Sequence, residues 1–70
     1  MERAAVTSSN IASVGYDIDT MTLEIEFNSG GVYQYHGVDF NIYENMMDAD
    51  SVGRYFHQHV RDQFVTDKVN

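Results

Sequence analysis

Tyr33 and Tyr35, with Gln34 between them, and the run Arg54, His57, Gln58 and Arg61 are the residues whose types and spacing suit binding chemistry. Two aromatics one residue apart on a strand project to the same side. Such pairs stack unpaired bases in RNA-recognition modules. Packing beneath helices, with each hydroxyl reaching a polar partner, is the commoner fate of strand tyrosines in a small domain. The second set is spaced three, four and seven apart, which places it on one ridge of a helix. That ridge is the only concentration of positive charge in the chain. Its plainer role is pairing with Glu44, Asp48, Asp50 or Asp62, and exposed pairs of that kind contribute little.

Catalytic and metal chemistry find no comparable pattern. The chain has no cysteine. It also lacks a Gly-x-Ser-x-Gly elbow, a phosphate loop, and a close acid pair in apolar surroundings that would split two pKa values. His57 and His59 are two apart, which on a helix turns them about 200° from each other, whereas paired helical ligands sit four apart. His36 approaches them only through the tertiary fold. His59 falls among apolar neighbours and reads as a structural histidine, while Ser8, Ser9 and Ser51 read as turn and cap residues. No catalytic residue, metal or cofactor is therefore assigned.

Charge narrows the partners. Four Lys and Arg face eleven Asp and Glu, for a net charge of -7, whereas the footprint of a nucleic-acid binder is basic. The charges are unevenly placed: Arg54, Arg61 and Lys68 fall in the last third, and Asp17, Asp19, Glu24, Glu26, Asp39, Glu44, Asp48 and Asp50 fill the middle. One locally positive face on an acidic molecule is the expectation. The absence of cysteine fits a reducing cytoplasm. No charged start leads into an apolar run, and no stretch is long enough to span a membrane. A 70-residue chain is one domain, able to bury only about 60% of its unfolded surface. Self-association or docking on a larger protein is a natural supplement to so small a core.

The elements that must position these residues follow from periodicity. Met21, Leu23, Ile25 and Phe27 alternate with Thr22, Glu24 and Glu26, which puts the apolar set on one face of a strand. Asn28-Ser29-Gly30-Gly31 supplies a tight turn. Val32 to His36 returns beside the first strand, with Gln34 and His36 on the open face. Ile11 to Tyr16 reads as a strand preceding both. After Gly37, Phe40, Tyr43, Met46 and Met47 recur at helical spacing, with Asp39 as N-cap. Asp50 or Ser51 then caps a second helix, whose Val52, Tyr55, Phe56, His59 and Val60 share a face. The predicted fold is α+β, a three-stranded antiparallel meander followed by two short helices on one face (β-β-β-α-α). Residues 1–6 and 65–70 are expected to fray.

Three segments together resemble the KTSC domain: Ser8-Ser9-Asn10-Ile11 running to Gly15-Tyr16-Asp17, then Tyr33-Gln34-Tyr35, then Ser51-Val52-Gly53-Arg54-Tyr55-Phe56 with Val60-Arg61. The chain departs from that pattern at Val52 and His57, where Lys and Asn are usual, and at Asp39, where Pro commonly opens the first helix. The KTSC module occurs at the C-terminus of some lysyl-tRNA synthetases and as a stand-alone bacterial or phage protein, with a suggested RNA-binding role. The resemblance thus implies a single KTSC-like domain over 1–70 that associates with RNA or tRNA.

Two functions are carried forward. The first is a non-enzymatic, cytoplasmic binding module for RNA or tRNA, with Tyr33, Tyr35, Arg54, His57 and Arg61 as its binding residues. The alternative is an acidic protein-interaction module, such as a phage-type inhibitor or nucleic-acid mimic, that engages a basic host protein. Neither involves a membrane.

Overall fold

The computed structural model describes residues 1–70. Its centre is the alternating segment Thr22–Phe27, strand β3. Leu23 and Ile25 point into the core, whereas Thr22, Glu24 and Glu26 point to the opposite face of the sheet. The turn at Asn28 to Gly31 uses a left-handed Gly30, φ 106°, which its lack of a side chain permits. The chain returns as β4, Val32–His36, pairing Tyr33 with Ile25 and Tyr35 with Leu23. On the other side of β3 lies β2, Ile11–Asp17. Strict alternation fails there, since Ile11 and Val14 are both buried. A register shift between Ile11 and Ser13 inserts one residue and returns both side chains to the core.

Two further strands complete the sheet. Ala4–Ala5 forms β1, and Val65–Lys68 forms β5, giving a five-stranded antiparallel sheet in the order β1-β2-β3-β4-β5. The α+β class is as predicted, but the sheet has five strands and not three. The segments expected to fray are its two edges. β1 is held by Ala4 opposite Val14, and β5 by Tyr33 opposite Lys68 through His36 opposite Val65.

Between β4 and β5 the chain crosses one face as α1, Phe40–Asp48, and α2, Val52–His59. Gly37, at φ 78°, turns the backbone out of β4. Asp39 occupies the N-cap of α1 as predicted, yet its carboxylate caps nothing. The Asp39 backbone carbonyl instead accepts from Ile42 and Tyr43. Ser51 does cap α2, its Oγ accepting from the Arg54 amide at 3.1 Å. The helices close over Ile11, Val14, Leu23, Ile25, Tyr35, Val38, Met46, Phe56 and Val60, with Phe27 and Tyr43 packed at the margin. No helix is long and apolar enough to cross a membrane.

The uncovered face of the sheet carries a polar network. Arg3 Nε donates to Ser13 Oγ at 2.9 Å, and its Nη1 donates to Glu24. Gln34 Nε2 donates to the other Glu24 oxygen at 2.8 Å, Ser13 Oγ donates to Glu26 at 2.8 Å, and His36 Nε2 meets Asp67 at 2.9 Å. Burial alone would raise the Glu24 carboxyl. Hydrogen bonds from Gln34 and Arg3, with the Arg3 charge, outweigh it and hold the group below its ordinary value. Gly15 leaves the space in which Arg3 lies, since a β-carbon there would stand 2.9 Å from Arg3 Cγ.

Candidate binding groove

Tyr33 and Tyr35 face the helices, on the side of the sheet opposite that network. Tyr35 is a core residue, 5% exposed, its ring set edge-on to Phe56 with centroids 5.3 Å apart. Tyr33 is half-buried at the sheet margin, edge-on to Phe27 at 5.6 Å, and Phe27 contacts Phe56 at the same separation. The pair is therefore no exposed stacking platform. One tyrosine is buried by packing and the other opens onto a groove.

This groove, about 400 Å³, lies where α2 ends above the β3–β4 turn. Phe27, Tyr33, Tyr35 and Phe56 form its apolar part, and Asn10, Ser29, His57 and Arg61 its polar rim. Local bonding fixes each wall. The Asn28 amide donates to Asn10 O at 2.9 Å, and its side chain donates to Ser8 O at 3.0 Å, which ties the turn to the segment entering β2. Ser8 Oγ accepts from the amides of Asn10 and Ile11, both at 3.2 Å. On the helix side, the Phe56 carbonyl accepts from both Val60 and Arg61 amides, and Asp62 takes a left-handed φ of 63°. That turn points the chain into β5. Because Tyr33 is paired with Lys68, the lysine sits beside it on the groove side of the sheet.

Arg61 Nη1 lies 3.1 Å from His57 Nδ1, and its Nε lies 3.7 Å from an Asp62 oxygen. A guanidinium only donates, so in this contact His57 Nδ1 is the acceptor. Burial pushes the Tyr35 phenol up, with Tyr33 and Asp62 adding to the rise and Arg61 opposing it, which puts these groups at one locus.

Of the five residues selected from sequence, Tyr33, Tyr35, His57 and Arg61 converge on the groove. Arg54 does not: with Tyr55 and Gln58 it lines a separate small depression beside Asp50 and Ser51. The expected ridge is divided: His57 and Arg61 turn toward the groove, Arg54 and Gln58 turn away from it, and α2 itself ends at His59, leaving Arg61 in the following turn. His59 is also corrected. It is exposed and lies against the Tyr55 ring, centroids 4.3 Å apart, outside the core. No three His, Asp or Glu side chains come together as a metal-binding group. Sequence reasoning missed Asn10, Phe27, Ser29 and Phe56 as lining residues. Only the Ser8-Ser9-Asn10-Ile11 signature hinted at that wall.

These signatures meet in space, and family comparison agrees with that geometry, the KTSC domain profile matching residues 7–64. The chain belongs to the KTSC domain family. An uncharacterized protein of Stutzerimonas stutzeri is 41% identical over 63 residues, covering 90% of this chain and 89% of that protein. A lysine--tRNA ligase of a Nostoc species is 39% identical over 56 residues, covering 80% of this chain but 10% of the ligase. The crystal structure of a KTSC domain protein from Yersinia pestis superposes with a TM-score of 0.96 at 42% identity, covering 99% of this chain and 97% of that one. Of the three departures from the KTSC pattern, His57 lies on the groove rim, Val52 packs against the core, and Asp39 begins α1.

Proposed function

We propose that this KTSC domain is a non-catalytic, RNA-associated binding module whose ligand site is the groove between β4 and α2. The observation that carries the reading is the convergence of a half-exposed tyrosine, an arginine and a lysine on one side of an otherwise acidic molecule. Topology separates the charges. Asp17 and Asp19 occupy the β2–β3 turn and Asp39 follows β4, all at the opposite end of the sheet from the β3–β4 turn that walls the groove. Glu24 and Glu26 are engaged by Arg3 on the other face. A phosphate approaching the groove therefore meets Arg61 and Lys68, with Asp62 beside Arg61 opposing them. The matching region in lysine--tRNA ligases is in keeping with RNA association. The test is a titration of ¹⁵N-labelled protein with tRNA and with single-stranded RNA. Amide shifts centred on Asn10, Ser29, Tyr33 and Arg61 are expected, and no binding at low salt refutes the proposal.

The acidic-module alternative retains one specific support. Glu44, Asp48 and Asp50 on α1 and the turn after it are free of ion pairs. A basic protein docking there would leave the groove amides unshifted and move those of α1.

A further inference from the structure

We infer that the groove captures one unstacked nucleotide, its base entering against Tyr33 and its phosphate held by Arg61 and Lys68, and that no run of bases stacks across the sheet. The inference rests on the RNA-associated reading and specifies its ligand. A stacking platform needs successive aromatic faces open to solvent. Here Tyr35 is closed over by Phe56, and the uncovered face of the sheet is lined by Ser13, Thr22, Glu24, Glu26, Gln34 and His36, whose imidazole is engaged by Asp67, with no Phe, Tyr or Trp ring. Beside the cationic rim a base therefore finds an open phenol face at Tyr33, whereas the rings of Phe40 and of Tyr55 with His59 lie on the helices, outside the groove. The groove, at about 400 Å³, falls in the range of small-molecule pockets, which suits a single nucleotide.

The rim supplies what a nucleotide requires. The Asn10 side-chain amide and the Ser29, Tyr33 and Tyr35 hydroxyls make no hydrogen bond within the protein, and all four residues line the groove. Amides and hydroxyls read base edges. Arg61 has five N–H donors, of which His57 engages one, while Asp62 lies 3.7 Å from Nε. Donors remain for a phosphate oxygen, and Lys68 adds a second charge beside Tyr33. Asp62 weakens this phosphate grip without removing it, so the base must contribute alongside the phosphate.

The discriminating experiment compares nucleoside 5′-monophosphates with di-, tetra- and octanucleotides at one salt concentration, reading groove amide shifts and tyrosine fluorescence on the full chain. Mononucleotides should shift Ser29, Tyr33 and Arg61, and should compete better than either the matching nucleoside or inorganic phosphate. Lengthening the oligonucleotide should strengthen binding no faster than the number of equivalent positions it offers. In the exposed-site variant Arg61→Ala, the advantage of the monophosphate over the nucleoside should shrink. A platform would instead gain roughly five-fold or more per added base, which overturns the inference while leaving RNA association intact. Equal competition by inorganic phosphate overturns it too, since the groove would then be an anion rim without base recognition. If no oligonucleotide binds at any length, the RNA-associated reading falls with it.

Discussion

The β-carbon that Gly53 lacks would stand 3.1 Å from Ser8 Oγ. This contact joins the first residues of the chain's opening signature to the first turn of α2. Ser8 cannot yield freely, because the same oxygen accepts from the Asn10 and Ile11 amides. The segment that approaches the helix here is the loop entering β2.

Gly53→Ala therefore sets two effects against each other. Alanine within a helix gains about 1 kcal/mol over glycine. Displacing Ser8 disturbs two hydrogen bonds, each contributing roughly 0.5–1.5 kcal/mol. The substitution should destabilise the native chain in urea melts and become stabilising in a Ser8→Ala background, where the oxygen is absent. Additive effects in the double-mutant cycle would show that the two residues are not coupled.

Core truncation separates stability from binding. Ile25 is fully buried in the middle of β3 and, though paired with Tyr33, does not itself line the groove, whereas Phe56 belongs to both core and groove. Either change to Ala should cost about 2–5 kcal/mol. A cooperative urea transition at an unchanged midpoint for Ile25→Ala would mean that the packed face is misassigned.

Much of this arrangement was legible in the sequence, and the misses share one cause. The alternation of Leu23, Ile25 and Phe27, the Gly30 turn and the helical spacing of α1 and α2 are local patterns and formed where expected, but Met21, grouped with that apolar set, lies in the turn before β3, exposed and at φ 54°. β1 and β5 have no such signal: Ala4–Ala5 is too short to show a period, and every residue of Val65–Lys68 is exposed. They exist because the edges of β2 and β4 pair with them. The same holds at the groove. Tyr33, Tyr35, His57 and Arg61 stood out by type and spacing, but Asn10 and Ser29 are brought there by Asn28 bonding across to Ser8 and Asn10. Arg54 was grouped with Arg61 on the premise of a helix that ends two residues earlier than Arg61.

Acid should weaken the fold through Glu24. Its carboxyl is held below its ordinary value, so the ionised form is favoured by folding. The corresponding stability is present above the unfolded carboxyl pKa of about 4.3 and is lost as pH falls through the folded value. Arg3→Ala, which leaves a 6%-exposed carboxylate without its cation, should cost about 1–3 kcal/mol at neutral pH and reduce the acid dependence. Thermal melts from neutral to acidic pH would check it, and an unaltered pH profile in the variant would contradict the assignment.

At the alkaline limit the sign reverses. Tyr16 donates its hydroxyl to Val38 O at 2.6 Å and stacks on Tyr43 with centroids 4.9 Å apart. Burial, with Asp39 and Asp17 nearby, pushes its phenol above the ordinary value. Stability from this group is complete below the unfolded pKa of about 10 and is lost as pH rises through the folded one. Tyr16→Phe should cost roughly 0.5–1.5 kcal/mol at neutral pH while making the fold less sensitive to alkali. Spectrophotometric titration of the tyrosines, wild type against variant, follows the same group directly.

The two arginines that sequence spacing placed on one ridge now make opposing predictions. Arg61 lies on the groove rim, whereas Arg54 lines a different depression with Gln58. For a single-stranded ligand each phosphate contact contributes about 0.7 to the slope of log affinity against log salt. Arg61→Ala should thus flatten that slope by about 0.7 and weaken binding similarly across sequences, since phosphate contacts carry no base information. Arg54→Ala should leave the slope nearly unchanged, because its charge is remote from the bound phosphate. Lys68→Ala should behave like Arg61→Ala, since β5 places that lysine beside Tyr33. Equal losses for Arg54 and Arg61 would restore the continuous ridge and move the interface onto the outer surface of α2. Retained binding with an unaltered slope in all three variants would remove phosphate recognition from this side of the sheet.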